Sequence, residues 1–310
     1  MSAHPDFQHE PVMASEVLGW IDPHDEKVLL DGTVGGGGHA ALMMERCPTC
    51  RLIAVDRDPE ALAAARARLA PFGDRVCFVE ARFDRALDDA RVSEQALDGV
   101  VLDLGVSSHQ IDLDRRGFTF REGAPLDMRM AGQGPTAADL LNEESETELA
   151  RIFYEYGEER RSRALAKAIV ARREVTPFAT SDDLVGVLTR VLGRSTTHQD
   201  KARIFQALRI AVNGELEALE RVLPKLRDAL AGSGVLVVIA YHSLEDRIVK
   251  HAFRDWSRAC VCPSELPVCT CRGRALGETL TRRGVRASAD EIEANPRARS
   301  AVLRAWRKAA

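Results

Sequence analysis

The stretch Asp31-Gly-Thr-Val-Gly-Gly-Gly-Gly-His39 separates two segments of different pattern. Before it, Val28–Asp31 is short and apolar, which is typical of a buried strand, and after it the pattern is helical. Consecutive glycines let a backbone turn tightly and approach a ligand closely. Gly35, Gly37 and Ala40 also fit a loose dinucleotide-binding fingerprint. The stretch therefore predicts a strand–turn–helix unit whose turn faces a ligand, with a flexible loop as the alternative.

Further short apolar segments, each bounded by turn signals, predict a parallel sheet. Asp58 and Pro59 open a helix between two of them, as N-cap and first helical residue. Strands that alternate with helices build a parallel sheet with crossover helices. The segments are Leu52–Asp56, Val76–Glu80, Val100–Leu104 and Val235–Tyr241.

The alternation stops between about 111 and 213, where helical patterns replace strands. The patterns cover Glu146–Tyr156, Arg163–Arg173, Asp182–Leu192 and Lys201–Val212, with Ser181 capping the third and Gly193 ending it. Alternation resumes at Glu215–Leu230, and Ser243–Asp246 reads as a capping box. We therefore predict an α/β fold in which a Rossmann-like sheet domain, 1–110 with 214–310, is interrupted by an all-helical domain, 111–213.

Composition narrows the class of protein. The chain has 310 residues, 45% hydrophobic and 29% charged, which fits about two globular domains. Its apolar runs are too short to span a bilayer, and its first residues do not resemble an export signal. We expect a cytoplasmic protein without a membrane partner, whose seven cysteines are reduced. Membrane, fibrous, disordered and secreted classes are disfavoured.

Charge is concentrated in two basic stretches, although the whole chain carries a net charge of −4. Residues 151–173 carry seven basic and three acidic side chains, and residues 272–310 carry ten and four. Such stretches suit a local nucleic-acid site, and they also suit solvated helix faces. Charge alone favours solvated helix faces.

Three acids stand at the carboxyl ends of predicted strands, namely Asp31, Asp56 and Asp103. Parallel sheets bind ligands at this edge, so the set predicts a cofactor site. Asp56 suits the two hydroxyls of a ribose, and Asp31 suits an ammonium group. Both NAD and S-adenosylmethionine fit this pattern, whereas a phosphate-binding P-loop is excluded because no Gly-Lys-Ser/Thr follows the glycines. His39 either lines the pocket or caps the helix.

The cysteines include one compact cluster. Cys260, Cys262, Cys269 and Cys271 have a spacing that tetrahedral zinc could use, but free thiols in a loop are the favoured interpretation. Cys47 and Cys50 are likewise expected to be unligated thiols. No metal site is therefore predicted.

The segment Asp103-Leu-Gly-Val-Ser-Ser-His-Gln110, taken with the glycine turn, resembles the ribosomal RNA small subunit methyltransferase H family, also called MraW. The resemblance spans nearly the whole chain. Further matching segments are His9–Val12, Asp56–Pro59, Arg116–Phe120, Pro125–Met130, Tyr156–Arg160, Phe205–Ile210, His242–Arg247, Cys260–Pro263 and Asn295–Ser300. Two segments, Thr197–Arg203 and Arg283-Gly284, depart from the family pattern.

The resemblance implies S-adenosylmethionine as the cofactor. It also implies methylation of the exocyclic N4 of a cytidine in the decoding region of 16S ribosomal RNA, within the small ribosomal subunit. The cofactor-binding residues are then expected to be Asp31, Gly37, Gly38, His39, Asp56, Phe83, Asp103 and Gln110. Phe83 would pack against the adenine ring.

The chemistry suggests further candidates. The cofactor already carries an activated methyl group, so the protein must align the reacting atoms and accept a hydrogen bond from the weakly nucleophilic amine. Asp103, Ser107, Ser108 and Asp127 are the candidate catalytic residues. The candidate RNA-binding residues are Arg129, Tyr154, Tyr156, Arg160, Arg163, Tyr241 and His242.

Two other functions remain open on the residues alone. A nicotinamide-dependent dehydrogenase would use the same glycine turn, but it leaves the basic helical region unexplained. A non-catalytic RNA-binding protein would not need the full set of cofactor positions. The expected assembly is a monomer or a homodimer.

Overall fold

The computed structural model describes residues 11–106, 113–193, 195–262, 268 and 270–310. Contacts between residues divide the chain into two compact units. The sheet unit contains Met1–Gly105 and Leu216–Ala310, and the helical unit contains Val106–Glu215. The sequence placed the corresponding boundaries at 110/111 and 213/214.

The sheet unit is built on one eight-stranded sheet with strand order β3-β2-β1-β4-β5-β8-β6, and β7 pairs with β8. The strands β1 to β5 run parallel, and β8 runs antiparallel to β5. The strands are β1 (Val28–Asp31), β2 (Arg51–Asp56), β3 (Val76–Glu80), β4 (Leu97–Asp103), β5 (Leu230–Ala240), β6 (Gly277–Thr279), β7 (Val285–Arg286) and β8 (Val302–Lys308). The Rossmann-like α/β fold predicted from the sequence is confirmed.

Helices accompany the strands of this unit. They are Ala14–Ile21, Gly38–Arg46, Pro59–Leu69, Ala90–Ser93, Glu215–Ala229 (whose first residue belongs to the helical unit), Ser243–Trp256 and Ala289–Ala294, with 3-10 turns at Ala70–Arg75, Phe83–Asp88 and Pro296–Ser300. Asp58 caps the helix at Pro59, as predicted, by accepting a hydrogen bond from the Glu60 amide at 3.0 Å. Neighbouring strand residues enter opposite cores, because side chains alternate across a strand. Leu29 and Val237 belong to one apolar cluster, and Leu30 and Val238 belong to the other.

The described residues of the helical unit contain no strand, only one isolated bridge between Pro125 and Thr180. Its helices are Ala137–Glu143, Glu146–Glu155, Ser162–Arg173, Ser181–Leu192 and His198–Asn213, with a 3-10 turn at Asp114–Arg116. Thr136, Thr180 and Thr197 each begin a helix with a reciprocal capping box. The predicted cap at Ser181 is wrong by one residue, since Thr180 is the cap and its partner is Asp183.

None of the helices in the described part of the chain combines the length and the apolar character needed to cross a membrane.

Candidate active site at the carboxyl ends of the strands

The glycine turn is fixed by hydrogen bonds to the strands on both sides of β1. The Gly32 amide donates to the Val101 carbonyl and the Val34 amide to the Val55 carbonyl, each at 2.9 Å. A Cβ at Gly32 would lie 2.5 Å from the side chain of Leu102, so a larger residue here would require that side chain to move. Gly37 has φ +80°, a conformation that favours glycine, and it begins the helix Gly38–Arg46. The turn therefore has a defined conformation, hydrogen-bonded to the two neighbouring strands.

Asp103, at the end of β4, is held by two hydroxyl groups. Its amide donates to the Thr33 hydroxyl at 2.7 Å, and the Tyr241 hydroxyl donates to its Oδ1 at 2.8 Å. Burial and the neighbouring Asp103 charge raise the pKa of Tyr241 well above its usual value. The phenol therefore keeps its proton and remains a donor to the carboxylate.

His39 lies on the other side of the same carboxylate. Its Nε2 is 3.6 Å from Asp103 Oδ2, which is beyond hydrogen-bond distance. The side chain is buried, and within the described residues this Nε2 has no hydrogen-bond partner. A buried polar atom without a partner costs free energy, so this atom is suited to contact a bound ligand. The proposed cap role of His39 is not seen, because Gly37 is the N-cap residue.

Asp31, at the end of β1, is almost completely buried. Its Oδ1 accepts one hydrogen bond, from the Thr33 amide at 3.2 Å. Burial raises the pKa of Asp31 to about 7, and the nearby His39 only partly offsets this effect. A cationic group placed beside Asp31 would restore the charged carboxylate.

Asp56, at the end of β2, accepts hydrogen bonds from two backbone amides. Gly35 donates to its Oδ2 and Asp58 to its Oδ1, each at 2.9 Å. Burial raises the pKa of this carboxyl group as well, with the two amides acting in the opposite direction. These bonds orient the carboxylate and leave further lone pairs on both oxygens for a ligand's hydroxyl groups.

Phe83 begins the 3-10 turn after β3 and is half-buried. Its Cβ lies 3.8 Å from the point where a Cβ of Gly32 would stand, so the ring belongs to the same edge of the sheet. Space is also limited at Gly38, because a Cβ there would lie 3.2 Å from the side chain of Pro11. The structure thus brings Asp31, Gly37, Gly38, His39, Asp56, Phe83 and Asp103 to the rim formed by the strand ends of the sheet unit.

Two residues expected to bind RNA also lie in the sheet unit. Tyr241 is bonded to Asp103 and is thus part of the strand-end cluster. His242 is the N-cap of the helix Ser243–Trp256, and its Nδ1 accepts from the Glu245 amide at 3.4 Å. The predicted capping box at Ser243–Asp246 is therefore wrong by one residue, because the histidine ring supplies the acceptor.

In the helical unit, Asp127 and Arg129 are paired with each other. The guanidinium contacts both carboxylate oxygens, at 3.0 and 2.7 Å, and holds the pKa of Asp127 below its usual value despite partial burial. Tyr156 is buried, and the guanidinium carbon of Arg151 lies 5.3 Å from the centre of its ring. The Tyr154 side chain, in contrast, is 65% exposed. The paired arginine and the buried tyrosine have less freedom to meet a ligand than Tyr154 has.

A cleft of about 410 Å³ lies within the helical unit. Arg160 and Arg161 line it and are exposed, and Arg163, which follows them at the start of the helix Ser162–Arg173, is also exposed. In the part of the chain that the structure describes, none of these three guanidinium groups forms an ion pair. The remaining lining residues are Glu158, Glu159, Leu192, Ser195, Thr196, Asp200 and Arg203.

Two residues of these sites were not singled out from the sequence. One is Thr33, although it stands inside the quoted Asp31-Gly-Thr motif, and the other is Arg203, which lines the cleft. The predicted residues Ser107, Ser108 and Gln110 lie outside the described residues, as does Cys269. The expectation that Cys47 and Cys50 are unligated thiols is wrong, since they form a disulfide with a Cα–Cα distance of 5.5 Å. The helix ending at Arg46 and the turn after it bring these two cysteines together.

The whole chain is similar to known proteins. The ribosomal RNA small subunit methyltransferase H of Gemmatimonas aurantiaca is 53% identical over 305 residues, which cover 97% of this chain and 95% of that protein. The protein of the same name from Pelobacter propionicus is 50% identical over 309 residues, covering 97% and 99%. The model of the MraW methylase family matches residues 6–309. The chain therefore belongs to the MraW methylase family and is a methyltransferase whose cofactor is S-adenosylmethionine.

Proposed function

We propose that this methyltransferase transfers a methyl group to the exocyclic N4 of a cytidine in the decoding region of 16S ribosomal RNA. The class of acceptor is supported by the names of its relatives, which specify small-subunit ribosomal RNA. The observation that carries the chemistry is the Asp103 carboxylate, which Tyr241 fixes at the edge of the sheet. Such a substrate places the reaction in the cytoplasm.

The strand-end acids fit the polar groups of S-adenosylmethionine. Asp31 is a buried carboxylate with a pKa of about 7, and an ammonium group beside it would compensate its charge. Asp56 is oriented by two backbone amides and would accept hydrogen bonds from ribose hydroxyls. The half-buried Phe83 would pack against the adenine. The bound cofactor supplies a methyl group activated by a sulfonium.

Asp103 is the residue we assign to the acceptor amine. The lone pair of a cytosine amine is delocalised into the ring, and an acceptor bonded to an N–H favours the pyramidal, nucleophilic form. Tyr241 donates to Oδ1 of the carboxylate, and Oδ2 lies 3.6 Å from the His39 Nε2, beyond hydrogen-bond distance, so Oδ2 still has lone pairs that could accept a hydrogen bond from the amine. No strong base is required, because the proton can leave after the methyl group has been transferred. Ser107, Ser108 and Asp127 remain alternative acceptors.

We assign substrate recognition to the helical unit. The exposed guanidinium groups of Arg160, Arg161 and Arg163 suit phosphate groups, and the cleft beside them offers the hydroxyl of Ser195. The exposed ring of Tyr154 suits base stacking. The target cytidine must be single-stranded or flipped out to reach a pocket at the strand ends.

A methyl-transfer assay tests this proposal. The full-length protein receives labelled S-adenosylmethionine with one of three acceptors: small ribosomal subunits lacking the modification, naked 16S ribosomal RNA, or DNA. We expect label on the subunit and none on DNA. Cofactor binding without transfer to either RNA acceptor would contradict the proposal.

A further inference from the structure

Three cysteine sulfurs meet in the connection between the helix Ser243–Trp256 and β6. The Sγ atoms of Cys260, Cys262 and Cys271 all lie within 4.8 Å of one another, and those of Cys260 and Cys271 are 3.9 Å apart. Zinc–sulfur bonds of about 2.3 Å in a tetrahedron separate the sulfurs by about 3.8 Å. The distance between the Cys260 and Cys271 sulfurs matches this value, and the other two distances exceed it by no more than about 1 Å.

The backbone around the cluster is arranged to hold these thiols together. The Val261 amide donates to Cys271 Sγ at 3.3 Å. The side chain of Arg272 donates to the carbonyl oxygens of Asp255 and Arg258, and the Leu276 amide donates to the Trp256 carbonyl at 2.8 Å. Both ends of the connection are thus fixed to the end of the helix, which brings the two parts of the cysteine cluster together.

We infer that Cys260, Cys262 and Cys271 bind one zinc ion, which closes this connection on the surface of the sheet unit. Three thiolates are soft ligands that prefer zinc to magnesium or calcium. The strand-end acids are not involved, so the ion is structural and takes no part in methyl transfer.

Metal analysis of the full-length protein tests this inference. The protein is reduced, supplied with zinc, freed of unbound metal and analysed by mass spectrometry for metal content. We expect one zinc per chain in the parent protein and in Cys77→Ser, which is a control because Cys77 lies on β3, outside the cluster. We expect Cys260→Ser, Cys262→Ser and Cys271→Ser each to lose at least nine-tenths of this zinc.

Cobalt titration of the parent protein supplies a readout that requires no variant to fold. We expect the charge-transfer absorption of cobalt–thiolate bonds and its disappearance when zinc is added. We also expect a zinc chelator to speed tryptic cleavage at the exposed Arg258 and Arg274, which flank the cluster. Substoichiometric zinc in the reduced parent protein, equal zinc in the cysteine variants, or a Cys260–Cys271 disulfide that forms in place of metal binding would overturn the inference.

Discussion

The strand ends of the sheet unit and the arginine-rich surface of the helical unit use charge in opposite ways. At the strand ends, Asp31 and Asp56 are carboxyl groups whose pKa burial raises, and they are oriented mainly by backbone amides. On the helical unit, Arg160, Arg161 and Arg163 project into solvent. Burial of the two carboxyl groups holds them in defined positions at a cost in free energy. The exposed arginines cost little free energy, but their side chains are not held in place.

This difference indicates which contacts determine chemistry and which determine affinity. Reacting atoms must be held within a few tenths of an ångström, and buried, hydrogen-bonded groups achieve this. A large polyanion can be attracted by mobile surface cations, whose contribution is screened by salt. Substitutions at the strand ends should therefore change rate or cofactor binding, and those on the helical surface should change RNA affinity.

The largest expected effect is at Asp103. Asp103→Asn removes the charged acceptor but keeps the shape, and we expect kcat to fall by about 10²- to 10⁴-fold with cofactor binding largely retained. Asp98→Asn is the matched control. Asp98 lies near the other end of β4, where its carboxylate accepts a hydrogen bond from the Val28 amide. Single-turnover methyl transfer measures both variants. Full activity of Asp103→Asn would contradict the assignment of Asp103 to the acceptor amine.

Asp31 should control cofactor affinity in a pH-dependent manner. Asp31→Asn removes the charge expected to face the ammonium group, and we expect about 100-fold weaker binding of S-adenosylhomocysteine by calorimetry. In the parent protein the ionised form binds the cation, so affinity should rise as pH increases to about 7 and then level off. Equal pH profiles for the two proteins would contradict this role.

The same carboxyl group should change stability with pH. Its pKa of about 7 in the folded state lies above the usual value of 3.8, so between these two pH values the folded protein binds more protons than the unfolded chain. The stability that Asp31 contributes is present below pH 4 and is lost as pH rises through 7. Asp31→Asn should therefore gain stability relative to the parent at pH 8 but not at pH 4, as measured by thermal unfolding without cofactor.

A smaller effect is expected at Tyr241. Tyr241→Phe keeps the ring but loses the 2.8 Å hydrogen bond to Asp103 Oδ1. Because a hydrogen bond to a charged group contributes about 1.5 kcal/mol or more, we expect kcat to fall about tenfold. The KM for RNA should stay unchanged if this tyrosine positions Asp103, whereas a rise in KM alone would support the RNA-binding role predicted from the sequence.

The smallest effects are expected on the helical surface. Arg160→Ala and Arg163→Ala should each raise KM for the subunit a few-fold and reduce the slope of log affinity against log salt by about one. Arg172→Ala is the control, because this guanidinium is paired with Asp183 at 2.6 Å. An unchanged salt slope in both test variants would argue against phosphate contacts at these positions.

Sequence patterns predicted most of the parallel core, because buried strands followed by turn residues are distinctive. The bounds of β1 and β3 agree with those predicted. The strand β8 was missed, since Val302–Lys308 interrupts its apolar residues with arginines. One of these, Arg304, is buried because Asp246 accepts two hydrogen bonds from it, a partner that periodicity cannot reveal.

The candidate site was predicted residue by residue but not as a geometry. Strand ends indicated that Asp31, Asp56 and Asp103 share one edge of the sheet. The contact of Asp103 with Tyr241 joins residues 138 positions apart and depends on β4 and β5 being neighbours. The sequence predicts that Tyr241 binds RNA, and its hydrogen bond to Asp103 is a contact that the pattern of the sequence cannot reveal.

The identity and position of the methylated nucleoside test the central claim most directly. Small subunits lacking the modification are treated with the parent protein or with Asp103→Asn, and digested 16S ribosomal RNA is analysed by mass spectrometry. We predict N4-methylcytidine at one site in the decoding region with the parent protein and almost none with the variant. A methyl group on another base or atom, or equal yields from both proteins, would contradict the account.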